Sequence, residues 1–224
     1  KGGHAGTLDP LATGILPIAL GEATKTVPVV QDGRKVYRFA IAWGAETTTD
    51  DAEGGVVATS DVRPSETDVL GALPGFTGAV TQVPPVFSAI KVDGERAYDL
   101  ARAGEAVELA ARMIEIEALT LLSHGPVRSE LEVTCGKGTY VRALARDLAR
   151  ALGTRGHVVM LRRTAVGPFD ESVAIGPDDI EAAADRDALV LPVSAGLSAI
   201  PELRLDAGQA AAVAHGNPVM LTGA

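Results

Sequence analysis

The sequence predicts an α+β protein whose sheet is mixed but mainly antiparallel and flanked by helices, and three observations carry that expectation. Two segments alternate apolar and acidic residues, the mark of half-buried strands. A segment with a helical apolar period follows the second of them, so strands and helices interleave irregularly instead of in the strict order of a parallel sheet. No internal repeat, heptad or low-complexity tract is present.

Taken in order, Lys35 to Trp43 mixes aromatic and β-branched residues and ends at Gly44, which reads as a strand. A polar loop follows from Thr47 to Gly55. Ser65 and Asp68 ahead of Val69, Leu70 and Leu73 form a capping-box signal for a short helix that stops at Pro74-Gly75. Ile114, Ile116, Ala118, Thr120 and Leu122 are expected to share the buried face of one strand, and Leu131, Val133 and Cys135 that of the next. From Tyr140 to Leu152 the period is helical, with Val141, Leu144, Leu148 and Leu152 on one face and Gly153 at the stop. Arg142, Arg146 and Arg150 line another face, and spacing alone makes such a stripe solvated. A later helix is expected near Ile180 to Ala188, and an Asp206 capping box opens a segment closed by Gly216.

Composition narrows the function. Apolar runs such as Ile15 to Leu20 fall far short of the roughly 20 residues of a membrane helix, so no membrane partner is expected. No charged-then-apolar leader opens the sequence, and a secretory signal is not expected. The single cysteine, Cys135, excludes an internal disulfide framework and fits a reducing cytoplasm, the expected location. A net charge of −9 argues at first against nucleic acid. The charge is unevenly spread, however: residues 1–163 hold 18 basic and 20 acidic residues, whereas 164–224 hold 2 and 9. A near-neutral body can still present a basic groove to a polyanion.

The glycine-dense opening, Gly2 to Gly14, has one acid, Asp9, held before Pro10. A residue before proline is pushed into an extended conformation, which projects Asp9 from a loop, although an Asp-Pro pair taken alone is more often just the start of a turn. Gly136-Lys137-Gly138-Thr139 lacks the upstream glycine of a phosphate loop, since position 131 is Leu. Cys135 and the four histidines lack the paired spacing of a zinc site, and no metal is expected.

The segment Gly3-His4-x-Gly6-Thr7-Leu8-Asp9-Pro10-x-Ala12-x-Gly14 resembles the active-site motif of the TruB family of tRNA pseudouridine synthases. Further blocks agree in the family's order: Lys35-x-Tyr37, Gln82-x-Pro84-Pro85-x-Phe87-Ser88-Ala89-x-Lys91, Ala97-Tyr98-x-Leu100-Ala101-Arg102-x-Gly104, Gly138-Thr139-Tyr140-Val141-Arg142 and Leu161-Arg162-Arg163-Thr164. Together they cover roughly residues 1–170. The resemblance implies the pseudouridine synthase fold. It also implies isomerisation of uridine 55 in the tRNA T-loop to pseudouridine, with no cofactor and no metal.

Asp9 is then the catalytic nucleophile, free to add to C6, attack C1′ or take a proton from C2′, and in each role it must be ionised and touch the nucleotide. Arg142 is placed beside it, where a forked guanidinium would hold and aim the carboxylate. Tyr37 is expected against the target base and Tyr140 near both. Leu161 is expected to meet the Watson–Crick edge of the flipped uracil through its backbone, and His4 to fill the stack that the base leaves. Lys91 and Lys137 are candidate phosphate contacts. Asp50, Asp51 and Glu53 match the family's acidic loop, with no role assigned. The tRNA T-arm is the expected partner, with the protein acting as a monomer and without an obligate protein partner.

The expected organisation is a catalytic domain over residues 1–195, lacking the family's N-terminal strand region. Residues 196–224 would begin a small PUA-like RNA-binding module. A guide-RNA-dependent relative, an RNA-folding protein and a glycosidase are the competing readings. The Leu11 to Pro17 continuation and acidic tail favour the bacterial branch over the first, and a glycosidase needs a second carboxylate that the motif blocks do not offer beside Asp9.

Overall fold

The structure, a computed structural model, describes residues 1–88, 90–92, 94–103 and 107–220. Three short strands open the chain, β1 (Gly2–His4), β2 (Ala12–Gly14) and β3 (Ile18–Leu20), followed by α1 (Val27–Asp32) and the long β4 (Lys35–Trp43). The hairpin of β5 (Ala45–Thr47) and β6 (Val56–Thr59) leads to α2 (Glu66–Ala72), β7 (Gly78–Gln82), a small hairpin of β8 (Lys91–Val92) and β9 (Glu95–Arg96), and α3 (Ala97–Arg102). After these come β10 (Arg112–His124), β11 (Arg128–Cys135), α4 (Val141–Ala151), β12 (Gly156–Val166), β13 (Phe169–Asp170), α5 (Pro177–Ala182) and α6 (Ala207–Ala214).

Seven strands form one sheet in the order β13-β12-β4-β11-β10-β7, with β2 on the outer edge of β12. Every pairing in it is antiparallel except that of β2 with β12. The expected class therefore holds.

Strand periodicity decides which face is which. Tyr37, Phe39, Ile41 and Trp43 project to one side of β4. There Phe39 and Ile41 are fully buried, among Leu131, Val133, Val158 and the α4 residues Leu144 and Leu148. Each such side chain contributes roughly 1.5–3 kcal/mol by leaving water. Arg38 points to the other face, where it pairs with Glu132 directly across from it on β11, and Arg162 likewise pairs with Glu171. These exposed pairs hold little energy because water competes for both charges, but they mark that face as solvated.

Helix α4 is rich in Ala, Leu and Arg, good helix formers, and all its residues but Asp147, Arg150 and Ala151 are buried. It packs across β4 and β12. The approach is close at Gly156, where a Cβ would come within 2.9 Å of Ala149 Cβ and of Ile41 Cγ2, so only glycine fits there without displacement.

Three expectations are corrected. In β10 a bulge between Ile116 and Ala118 shifts the phase. Leu119 is buried in place of Ala118 and Thr120, and Leu122 is 47% exposed. One extra residue turns the side chains that follow it to the opposite face, up to a second register shift between Leu121 and Ser123. The helix expected near Ile180 to Ala188 is instead Pro177–Ala182. Pro177 opens it with Asp178 and Asp179 in the first turn, and Ala183 is already extended. Arg146 is not solvated but buried, for reasons that belong to the site.

The capping boxes at Ser65 and Asp206 form as expected, with both reciprocal hydrogen bonds in each. From residue 171 onward no described residue is fully buried.

Candidate active site

Asp9 lies in the loop between β1 and β2. Its carbonyl accepts the Ala12 N–H at 2.8 Å, so Asp9-Pro10 does start a β-turn, with proline at the position its fixed φ suits. The same turn delivers the carboxylate, still 31% exposed, to α4. Arg142 Nε donates to Asp9 Oδ2 at 2.9 Å and Nη2 to Oδ1 at 3.1 Å, a two-point fork that fixes both oxygens.

Arg142 is itself only 4% exposed. Its Nη1 donates to the Thr49 carbonyl at 2.8 Å and lies 3.4 Å from Asp51 Oδ2, and Nη2 donates to the Phe87 carbonyl at 3.0 Å. One guanidinium thus gathers three loops: the Asp9 loop, the acidic loop between β5 and β6, and the loop after β7. The expectation that Asp9 has no second carboxylate beside it is corrected, since Asp51 shares its arginine. Asp51 is buried, accepts from Thr49 Oγ1, and takes the Glu53 N–H at 3.0 Å. Both acids keep hydrogen bonds, which is what lets a pair of carboxylates sit beside one cation.

Arg163, on β12, holds the Asp9 loop from beneath. Its buried guanidinium donates to the carbonyls of Ile15 at 2.8 Å, Gly6 at 3.0 Å and Thr7 at 3.3 Å. Gly14 closes the loop at φ +99, where a Cβ would stand 2.1 Å from the Arg163 carbonyl oxygen. Tyr37 is the cross-strand neighbour of Arg163 on β4. Burial raises the pKa of its hydroxyl, the charge and hydrogen bond of Arg163 oppose that rise, and Asp9 is close enough to add to it.

Tyr140 is the residue before α4. Gln82, 2% exposed, takes the Tyr140 N–H on Oε1 at 2.9 Å and donates from Nε2 to its carbonyl at 3.1 Å. Arg112 lies over the Tyr140 ring, 5.0 Å from its centroid, and donates to the Gly138 carbonyl. Backbone and ring are both held, two residues from Arg142.

The remaining candidates stand apart. Leu161 is 4% exposed, its side chain in the core and its backbone between Ala12 of β2 and Phe39 of β4. His4 is exposed on β1 opposite Ile18, with no hydrogen bond to Asp9. Lys137 pairs with Asp32 at 3.0 Å on the surface. Ala89, Gly104 and the side chains of Lys91, Ala101 and Arg102 lie outside the described residues.

Arg146 sits one turn beyond Arg142. Its Nη1 donates to Asp50 Oδ2 at 2.9 Å, Nε to Asp147 Oδ1 at 2.9 Å and Nη2 to the Val83 carbonyl at 2.8 Å. Asp50 is buried in a left-handed conformation, φ +61, at a cost of about 1 kcal/mol or more that the surrounding contacts must offset. Burial raises its pKa, and Arg146 pulls the other way. Arg150, by contrast, is half exposed and pairs with Glu46, as a solvated stripe would have it. Consecutive acids at 50 and 51 and arginines four apart at 142 and 146 were the signal for these two pairs.

The sheet and its site have the pseudouridine synthase fold. The crystal structure of a Cbf5–Nop10–Gar1 complex superposes with a TM-score of 0.74 over 96% of this chain and 59% of its own, at 26% identity. An H/ACA ribonucleoprotein bound to a substrate RNA containing 2′-deoxyuridine gives 0.73 at 22% identity, a likeness of fold alone.

Residues 1–141 match the model of the TruB family pseudouridylate synthase N-terminal domain, and residues 142–198 that of the tRNA pseudouridylate synthase B C-terminal domain. The chain therefore belongs to the TruB family. It is 56% identical to the tRNA pseudouridine synthase B of Rhodopseudomonas palustris and 54% identical to that of Paracoccus denitrificans, in both cases over the whole chain. It spans 63% of the length of the first and 76% of the second.

Proposed function

We propose that the protein isomerises a uridine of tRNA, uridine 55 of the T-loop, to pseudouridine, with Asp9 as the nucleophile. The observation that carries this reading is the two-point Asp9–Arg142 pair. It is a carboxylate held by a buried cation yet open to solvent, in a member of a family of uridine isomerases. The reaction breaks N1–C1′ and joins C5–C1′. C5 gives up a proton and N1 regains one, so atoms and electrons balance with no co-reactant.

In that chemistry Arg142 holds both oxygens of Asp9 and aims the carboxylate at the nucleotide, as a positioned nucleophile requires. Tyr37, beside Arg163, lies against the base and takes part in moving the C5 proton. Tyr140 walls the pocket, the Leu161 backbone reads the Watson–Crick edge, and His4 fills the gap left by the extruded base, the step that base-modifying enzymes need for a stacked nucleotide. The T-arm is the part of tRNA that a single subunit of this kind grips, in the cytoplasm.

The test is pseudouridine mapping in tRNA and in a bare T-arm hairpin, without guide RNA or added protein, after treatment with wild-type and Asp9→Asn protein. Wild type is expected to modify both substrates, and Asp9→Asn neither, while still binding them. Turnover by Asp9→Asn would refute the assignment of Asp9, and dependence on a guide RNA would refute the stand-alone reading.

A further inference from the structure

The acidic loop between β5 and β6 is fastened to α4 twice. Asp51 and the Thr49 carbonyl meet Arg142, and Asp50 meets Arg146 one helical turn along. The two arginines also divide the loop after β7, Arg142 taking the Phe87 carbonyl and Arg146 that of Val83. Arg146 and Asp50 are each about nine-tenths buried as side chains. With Asp50 in the left-handed conformation, the two consecutive carboxylates reach arginines on neighbouring turns of one helix. On the far side, the Asp50 carbonyl takes the Val158 N–H of β12 at 3.0 Å.

We propose that Arg146 and Asp50 are a positioning pair for the reaction, setting the place of Thr49 and Asp51 on Arg142 and through it the aim of Asp9. This rests on the function proposed above. A buried ion pair is poor evidence for stability, because an apolar pair of equal volume is often no worse. Its geometric consequence is specific. Asp50 and Asp51 are adjacent, so displacing one carboxylate moves the other, and Asp51 and Thr49 meet the same Nη1 of Arg142. Neither Arg146 nor Asp50 touches Asp9. Their effect must pass through Arg142.

The experiment compares Arg146→Gln, Asp50→Asn and the double variant with the parent, all as full chains. Rates come from single turnovers at saturating enzyme, normalised to the folded fraction, with tRNA affinity measured separately and the crystal structure of Arg146→Gln determined. Each single variant is expected to be slower by roughly 10- to 100-fold, the scale of an ångström-sized misplacement, with affinity within about twofold of the parent. The double variant, which leaves neither member of the buried Arg146–Asp50 pair charged and can hydrogen-bond amide to amide, is expected to run at least about fivefold faster than the product of the single effects allows. The Arg146→Gln crystal structure should show Thr49 and Asp51 shifted on Arg142.

Normalised rates equal to the parent's, a loss confined to affinity, or an unmoved loop would each overturn the inference. If the parent itself makes no pseudouridine, the proposed function fails instead, and the crystal structure still decides whether Arg146 sets the Arg142 contacts.

Discussion

Replacing Arg142 by lysine keeps the positive charge and removes the fork, and the structure sets how much that should cost. The guanidinium makes four hydrogen bonds, two to Asp9 and one each to the carbonyls of Thr49 and Phe87, and lies against Asp51 as well. An ammonium has three donors on a single atom and cannot meet both oxygens of a carboxylate while also reaching carbonyls on two other loops. At least two of these contacts are lost, one of them charge-assisted. At about 1.5–3 kcal/mol for a bond to a charged group and about 1 kcal/mol for the other, the loss is roughly 2.5–4 kcal/mol. Where it falls on the alignment of Asp9 in the transition state, the rate drops by a factor of about 10² to 10³. Single-turnover pseudouridine formation with saturating enzyme measures this directly, and tRNA affinity, measured in parallel, should change little. A lysine variant within threefold of the parent rate would refute the claim that the fork, and not the charge alone, makes Asp9 competent.

Three further outcomes follow from packing and burial. Leu119→Ala should destabilise the protein by about 2–3 kcal/mol and Leu122→Ala by under about 0.5 kcal/mol in chemical denaturation, because the β10 bulge buries the first and exposes the second; equal costs would place the bulge wrongly. Gly14→Ala should disrupt the Asp9 loop, since its Cβ meets the Arg163 carbonyl at 2.1 Å and φ is +99, and the variant should lose both stability and activity. Burial pushes the Cys135 thiol up to about 11 from an ordinary 9.0. The native state then holds its proton where the unfolded chain releases it, so this contribution is intact below pH 9 and lost as pH rises to about 11, on the order of 2–3 kcal/mol in all. Lys35, paired in register with Cys135, has its pKa lowered by burial and acts with the opposite sign. Denaturation curves of Cys135→Ala against the parent from pH 8 to 11 isolate the thiol's share, and identical pH dependence would contradict its burial.

Much of the fold was readable where one face of an element is wet. β4, β11 and α4 announce themselves because alternation or a helical period survives when one side meets solvent. β12 does not, although it lies at the heart of the sheet. Its register shifts at Val158/Met160 and Arg163/Ala165 break the alternation that a strand reader needs. The same effect misassigned the second half of β10. A bulge costs one residue of sequence and changes the facing of those that follow up to the next irregularity, which in β10 lies between Leu121 and Ser123, and nothing local marks it.

Asp9, Arg142 and the two tyrosines were named from an ordered motif in the sequence by itself, and with them the class of fold. The local signals at Ser65, Asp206 and Gly153 depend only on neighbouring residues and were legible for that reason. What only the tertiary structure decided is which charges are buried together. Arg146 looked solvated because its spacing matches that of Arg150. Three loops far apart in sequence close over Arg146 and Arg142 but leave Arg150 half open, and burial is a property of that closure. Asp50 and Asp51 acquired partners in the same way. A carboxylate's role depends on which cation lies within about 3 Å, and contacts between residues some ninety positions apart are set by how the sheet and α4 pack.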